Sequence, residues 1–490
     1  MIVTSLQMKA AEEDVFSRGE TPGVLMEIAG RGISECIRQF FPTPGTIAVY
    51  CGKGHNAGDA LVAAGHLAAV GWRILVRCPF PVHELAPLTR EHLEKLKGAE
   101  VVASLPRIRG NILILDGLLG IGATGAPKGG IAALIEELNR VRSEQGAFTV
   151  AVDLPSGLNA TTGEVCVPCV KADLTVTLGV VKEGLVADAA TAVVGRLSLV
   201  PLPGLSPTGG DPAEVSTTES LRRLLPIRDF DSFKGTYGRI GILAGSPGYL
   251  GAAHLCSAAA VHAGGGLVTL YAIPESHDLL AATCIPEVMV RKVSSYAEVL
   301  AERNDVVAIG PGLSRENDGE LRKLVAEATI PCVVDADALN ALSNDPSILR
   351  ECAGPRLLTP HPGEMERIVP QAGRTRREWA EDFAARYRVT LLLKGARTII
   401  AQGNQASVFN NTGNPGMGSG GMGDVLTGVC AALIGGGKSP REAATLGAWV
   451  CGRAAEIAIF NGHESQESLS ATAVISHLGA AFKSLRQGEY

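Results

Sequence analysis

The sequence predicts an α/β protein in two units, and three observations carry that expectation. Short apolar runs alternate with helical periodicity along most of the chain, the pattern of a parallel sheet covered on both faces. The 490 residues, 46% of them hydrophobic, are too many for one compact core, since a domain takes roughly 150 residues. Between Val200 and Ser220 the composition turns to Pro, Gly and Ser, too poor in apolar residues for a core element, which reads as a polar linker. The division falls between residues 1–212 and 213–490.

In the first unit, Pro22 and Gly23 precede an amphipathic helix carrying Val24, Leu25, Ile28, Ala29, Ile33, Cys36 and Ile37. Strands are expected at 47–50, 73–76, 112–115, 149–152, 174–178 and 196–200. Sheets of this kind bind ligands at the carboxyl ends of their strands. Those ends hold residues 52–59, 116–126 and Asp153-Leu154-Pro155-Ser156-Gly157. Each alone could be turn chemistry; three polar, Gly-bearing ends in one unit make a site. Asp59, Asp116 and Asp153 could act as acids or bases or, with Asn56 and Ser156, as oxygen ligands of a hard cation.

The second unit opens with a strand at 239–244, the turn Gly245-Ser246-Pro247-Gly248, a small-residue helix at 252–263 and a strand at 267–272. Later strand ends carry Gly310-Pro311-Gly312, Asp335-Ala336-Asp337 and Thr359-Pro360-His361-Pro362-Gly363-Glu364. Lys394-Gly395 closes a strand at 390–393. Residues 410–428 read N-N-T-G-N-P-G-M-G-S-G-G-M-G-D-V-L-T-G, with seven glycines in all and a helical pattern from Val425 on. A Gly-rich loop feeding a helix start is an anion site, because bare amides approach a phosphate and the helix N-terminus adds partial positive charge. Asp424, at that start, could cap backbone amides or take a proton from an attacking hydroxyl. His361 could cap a turn or bind a ligand, and Lys394 could be a solvated strand end or meet a nucleotide.

Several classes are excluded. Gly437-Lys438-Ser439 ends like a P-loop, but Ala432 stands where the first glycine belongs and no strand precedes it. Gly52-Lys53-Gly54 with Ala57-Gly58 is a loose dinucleotide fingerprint, yet the next strand ends in Arg77 and Cys78 with no acid for a ribose. Net charge is −6, with 44 basic against 50 acidic residues and no long basic run, so nucleic acid is not an expected partner. No 18 apolar residues run together and the first twenty carry Lys9, Glu12, Glu13 and Asp14, so a cytoplasmic protein without a membrane span is expected. Eleven scattered cysteines make no disulfide framework, and Cys166 with Cys169 lacks the second pair a zinc site needs.

The resemblance to a family rests on motif order. Lys234-Gly235-Thr236-Tyr237-Gly238, Ala244-Gly245-Ser246 with Gly251-Ala252-Ala253, then G-P-G, D-A-D-A-L, T-P-H-P-G-E, L-K-G and N-T-G-N-P-G-M-G-S-G-G-M-G-D stand in the order of the ADP- or ATP-dependent NAD(P)H-hydrate dehydratases. The first half resembles their usual fusion partner, the NAD(P)H-hydrate epimerase, through Leu25-Met26-Glu27 with Ala29-Gly30, residues 54–59, Asp116 with 120–125, and Asp153 to Gly157. Departures are His55 and Ala57 in a loop that usually reads G-N-N-G-G-D, Ile121 within G-T-G, Ile28 where Asn is common, and Ser314 where Gly is typical.

The resemblance implies a Rossmann-like three-layer domain followed by a ribokinase-like α/β domain. It implies repair of a cofactor to which water has added across the nicotinamide C5=C6 bond. Hydroxide leaves poorly, so phosphorylating the hydroxyl first makes elimination easy. For the epimerase it implies substrate contacts from His55, Asn56, Ala57, Gly58, Asp59, Gly120, Ile121, Gly122, Ala123, Thr124, Gly125, Ala126 and Asp153, with Asp153 catalytic and a potassium ion on Asn56, Asp116 and Ser156. For the dehydratase it implies substrate at Ala253, Gly312, His361 and Asp424, with Asp424 as base, and ADP or ATP with Mg²⁺ at Lys394, Gly395, Ala396, Arg397, Thr398 and Gly423. A homo-oligomer is expected. One alternative stays open: a vitamin or sugar kinase fused to a non-catalytic binding module.

Overall fold

The computed structural model describes residues 1–225 and 227–489. They form two compact units, residues 1–217 and 218–489.

The first unit contains β1 (Ile2–Val3), β2 (Thr46–Cys51), β3 (Arg73–Arg77), β4 (Glu100–Val101), β5 (Ile112–Gly117), β6 (Phe148–Val152), β7 (Leu174–Leu178), β8 (Val181–Lys182) and β9 (Arg196–Val200), with a short β10 (Glu214–Val215) after them. Seven make one sheet in the order β4-β3-β2-β5-β6-β7-β9, and every pairing is parallel. β2, β5 and β7 are buried along their whole length, as strands covered on both faces must be. The order reverses between β2 and β5, so their carboxyl ends diverge into a crevice. β1 pairs with β8 in a separate two-stranded ribbon that sets Val3 opposite Lys182.

Two expectations change here. The segment between Val200 and Ser220 is no free tether: Ile2 and Asp211 exchange backbone hydrogen bonds at 3.0 Å, Gln7 donates to the Gly209 carbonyl at 2.7 Å and Arg18 to that of Gly204 at 2.7 Å. Backbone groups without a ladder are satisfied by side chains of the N-terminal helix Ser5–Ser17 and of its C-cap, Arg18. The expected loop at 54–59 is a helix, His55–Ala68, that starts straight after Gly54. Ala57 therefore has helical φ and does not need glycine.

The second unit contains β11 (Arg239–Leu243), β12 (Leu267–Ala272), β13 (Val288–Lys292), β14 (Val306–Ile309), β15 (Cys332–Val334), β16 (Arg356–Leu358), β17 (Thr390–Leu393), β18 (Ile399–Gln402) and β19 (Val408–Phe409). Their order is β19-β18-β17-β16-β15-β14-β11-β12-β13. The pairs of β17, β18 and β19 are antiparallel and the rest parallel. This sheet reverses between β11 and β14. Two helices press together beside it: a Cβ added at Gly428 of helix Met422–Gly435 would stand 2.1 Å from the Cys256 carbonyl of helix Leu250–His262. Helix Pro440–Phe460 is long and apolar enough to cross a membrane, but 83% of its apolar window is buried inside the unit.

Candidate active sites

In the first unit the ends of β2, β5 and β6 meet at the switch point. Asp116 is fully buried. Its Oδ1 accepts from Ser156 Oγ at 2.7 Å and from the Leu118 amide at 3.2 Å, and its Oδ2 from the Ser156 amide at 2.8 Å. Ser156 Oγ accepts from the Leu119 amide at 2.9 Å, and Asn56 Nδ2 donates to the Leu119 carbonyl at 2.9 Å. Burial pushes the Asp116 carboxyl up to about 6, against the downward pull of these bonds. The three residues thus gather round Leu119, and the Asn56 carboxamide oxygen accepts no hydrogen bond among the described residues. One carboxylate, one hydroxyl and one carboxamide fit a hard cation of low charge. No cluster of three or more His, Cys, Asp or Glu that could hold a metal occurs among the described residues.

A cavity of about 840 Å³ opens beside them, lined among others by Asn56, Asp59, Gly120, Ile121, Gly122, Ala123, Asp153 and Lys182. His55 stands at its rim, exposed. Ala57 and Gly58 are buried behind it, and Thr124, Gly125 and Ala126 lie outside the lining. An added Cβ at Gly58 would come within 2.5 Å of Met26 Cε, the movable end of a flexible side chain. Asp153 holds φ at 65°, uncommon for a non-glycine residue. Its Oδ1 accepts from Lys182 Nζ at 2.5 Å, the Leu178 amide at 3.0 Å and Thr177 Oγ1 at 3.2 Å.

In the second unit the Gly245 amide donates to the Pro311 carbonyl at 2.9 Å across the switch point. A Cβ at Gly310 would stand 1.8 Å from the Asp335 carbonyl, which is why the G-P-G turn can lie against that residue. Asp335 is buried, its Oδ1 accepting from Lys394 Nζ at 2.8 Å and its Oδ2 from Thr427 Oγ1 at 2.9 Å. Burial works to raise this carboxyl, but the Lys394 charge and the bonds from Lys394 and Thr427 outweigh it and hold it below the usual range. Lys394 also stands 3.7 Å from Glu364 Oε2. Burial would lower its ammonium; Asp335 and Glu364 overcome that and raise it. The solvated reading of Lys394 is therefore set aside.

Asp424 lies in the first turn of helix Met422–Gly435, whose N-cap, Gly421, is left-handed at φ 87° and offers no side-chain cap. The Asp424 carboxyl makes no hydrogen bond among the described residues, so it is not spent on capping. Burial first, then the Asp335 charge, push it up to about 6, with Lys394 opposing. A Cβ at Gly423 would stand 3.2 Å from Lys394 Nζ and 3.5 Å from Asp335 Oδ2. The uncapped amides, the lysine and the two aspartates are thus one cluster, the arrangement that receives a phosphoryl group and a nucleophile beside it.

His361 does cap: its Nδ1 accepts from the Glu364 amide at 3.2 Å while Glu364 Oε2 accepts from the His361 amide at 2.7 Å. The ring remains half exposed, so the cap leaves its outer edge open to a ligand. The loop Lys394, Gly395, Ala396, Arg397 and Thr398 is held by Arg376, which donates to the Lys394 carbonyl at 3.2 Å and the Arg397 carbonyl at 3.1 Å. The Arg397 side chain is buried, 3% exposed. Ala253 is wholly buried beneath Gly245, against the expectation that it lines a ligand surface. The exposed side chain at that edge is Tyr249, against which Gly312 packs at φ 63°.

Residues 240–476 match the family model described as NAD(P)H-hydrate dehydratase, and residues 22–184 the one described as YjeF-related protein N-terminus. The bifunctional NAD(P)H-hydrate repair enzyme of Moorella thermoacetica is 37% identical over 500 residues, covering 93% of this chain and 92% of its own. The chain belongs to the bifunctional NAD(P)H-hydrate repair enzyme family. The Escherichia coli member is 36% identical over 446 residues, 88% of this chain and 84% of its own. An ADP/ATP-dependent NAD(P)H-hydrate dehydratase from Bacillus subtilis, co-crystallised with ATP and Mg²⁺, matches at TM-score 0.50 and 28% identity over 56% of this chain and 99% of its own.

Within this repair-enzyme framework, sequence reasoning missed Glu12, Lys182 and Thr427, and noted Asp335 and Glu364 only as strand-end residues. Lys182 carried the one readable signal, a lysine inside an apolar stretch, and it is 1% exposed. Ser314 takes φ 62°, in the left-handed region that favours glycine, and is a strained residue.

Proposed function

We propose that this repair enzyme restores hydrated NADH and NADPH. Residues 1–212 interconvert the R and S epimers, and residues 213–490 dehydrate the S epimer with ADP or ATP through a phosphorylated intermediate, releasing phosphate. The observation that carries the reading is the cluster of Lys394, Asp335 and Asp424 at the uncapped start of helix Met422–Gly435. The first-turn amides and Gly423 hold the transferred phosphoryl group, with Lys394 neutralising charge and Asp424 accepting the hydroxyl proton. Mg²⁺, when bound with nucleotide, neutralises phosphate charge. Asn56, Asp116 and Ser156 would hold a potassium ion that supplies a fixed positive charge to the dinucleotide. The chain works in the cytoplasm as a homo-oligomer.

The test uses racemic hydrate with each nucleotide in turn, following NADH at 340 nm and free phosphate. Full consumption with one phosphate per turnover is expected. A stall near half would remove the epimerase, and a stable phosphate ester without NADH would make the second unit an ordinary kinase.

A further inference from the structure

Besides Lys53, His55 and Lys128, the cavity of the first unit is lined by four ionisable side chains that act on one another from four elements: Glu12 on helix Ser5–Ser17, Asp59 on helix His55–Ala68, Asp153 after β6 and Lys182 in β8. Their hydrogen bonding is lopsided. Lys182, Thr177 and the Leu178 amide all donate to Asp153 Oδ1, so that oxygen is saturated and Oδ2 is left for a ligand. Lys182 is itself fixed, donating also to the Leu178 carbonyl at 2.7 Å. The Asp59 carboxyl, by contrast, has no hydrogen-bond donor among the described residues. The groups facing it are Asp153, Glu12 and Lys182, with Lys9 beside Glu12.

We propose that Asp59 and Asp153 are the acid–base pair of the epimerisation, Asp59 giving a proton to the departing hydroxyl and Asp153 Oδ2 taking one from the incoming water, with Lys182 positioning Asp153. The inference rests on the epimerase reading of this unit. Two carboxyls in opposite environments divide acid and base work. Asp153 holds a buried ammonium on one oxygen and leaves the other open, the arrangement of a proton acceptor. Asp59 stands beside other acids without a donor of its own: burial first, then Asp153 and Glu12, raise its carboxyl well above the ordinary value, with Lys182 opposing, which suits it to give a proton.

The hydrate bears its hydroxyl on a ring carbon bonded to the ring nitrogen. Protonation by Asp59 lets the C–O bond break, its electron pair leaving on water while the nitrogen lone pair forms C=N⁺. A second water attacks from the opposite face, the C=N electrons return to nitrogen, and the surplus proton goes to Asp153 Oδ2. One water leaves and one enters, with no redox change. Asp59 ends ionised and Asp153 protonated, the state that runs the opposite direction.

The full-length protein tests this without nucleotide, by resolving the two epimers as they interconvert across a pH profile. Asp59→Asn should lose about 10²- to 10⁴-fold in kcat with KM little changed, and lose the alkaline limb of the wild-type profile. Asp59→Glu should keep part of the rate. Lys182→Met should lower kcat and shift the acid limb, with Lys182→Arg recovering part. Nucleotide-dependent dehydration of the pure S epimer by the same preparations reports that the chain is folded. Infrared difference spectra supply a readout besides rate: a protonated carboxyl band at neutral pH, absent in Asp59→Asn. Wild-type-like epimerisation in Asp59→Asn, or a spectrum showing Asp59 ionised at neutral pH, overturns the pairing while leaving the epimerase reading intact. Wild-type protein that never interconverts the epimers overturns both.

Discussion

Asp424 combines a free carboxyl with burial and a neighbouring acid, which together place its titration near 6. A base must be ionised, so dehydration should fall as pH drops through about 6, provided chemistry limits the rate. Asp424→Asn keeps the shape and should lower dehydration by about 10²- to 10⁴-fold while nucleotide still binds; steady-state rates with a binding titration check this, and normal turnover would remove Asp424 as base. The stability effect has the opposite sign. Because the folded-state value lies above the unfolded one, the contribution of this carboxyl is present below its ordinary range and lost as pH rises through the folded value. The Asn variant should therefore melt at or above wild type at pH 7. Lys394 behaves differently, since its charge answers that of Asp335 at 2.8 Å. Lys394→Met strands a buried carboxylate and should cost about 3–5 kcal/mol. Adding Asp335→Asn should recover stability in denaturant titrations without recovering activity, and an additive double variant would mean the pair is not coupled.

At the scale of elements, the dehydratase site depends on how closely helices Met422–Gly435 and Leu250–His262 approach. Gly428→Ala forces a methyl against the Cys256 carbonyl, which should destabilise the unit by about 1–3 kcal/mol and depress dehydration by shifting Asp424. A variant as stable and active as wild type would show that the helices part freely. Ser314 sits left-handed at φ 62°, where glycine carries no Cβ penalty. Ser314→Gly should add up to about 1 kcal/mol in denaturant titration without changing KM. At Ala57 the helical backbone reverses the usual argument for glycine. Ala57→Gly should cost about 1 kcal/mol of stability and leave epimerisation unchanged. A gain in epimerisation would mean that close backbone approach at 57 matters more than helix stability.

For the whole molecule, the seven-stranded sheet of β2 to β7 with β9 and the sheet of β11 to β19, which β10 extends at the β19 edge, each reverse at their own switch point. Cutting between residues 212 and 213 keeps Asp211 with its partner Ile2 in one fragment. Residues 1–212 and 213–490 should each express as folded proteins, the first carrying epimerisation and the second nucleotide-dependent dehydration. Cooperative melting of each fragment is the measurement, and failure of both to fold would show that neither core is sufficient alone. The N-terminal strand and helix belong to the first site, because β1 carries β8 and Lys182 while Glu12 and Phe16 line the cavity. Removing residues 1–17 should abolish epimerisation and spare dehydration.

The sequence by itself determined the two α/β units, the strand cores, and the motifs that end in Asp116, Asp153, Lys394 and Asp424. Those features are local: apolar runs make strands, and glycine marks where backbone must turn or approach closely. It also determined that Gly437-Lys438-Ser439 is no phosphate loop, and the structure uses Ser439 as the N-cap of helix Pro440–Phe460. Only the tertiary structure decided what each polar group faces. Whether Asp424 caps or stays free depends on Gly421 leaving the cap empty, and whether Lys394 is solvated depends on Asp335, the N-cap of helix Ala336–Leu342, and Glu364, in helix Pro362–Ile368, arriving beside it. Lys182 sits within a buried stretch, and nothing nearby in sequence reveals the Asp153 that neutralises it across 29 positions. Burial and distant charge set those roles, and neither is encoded in any short run of residues.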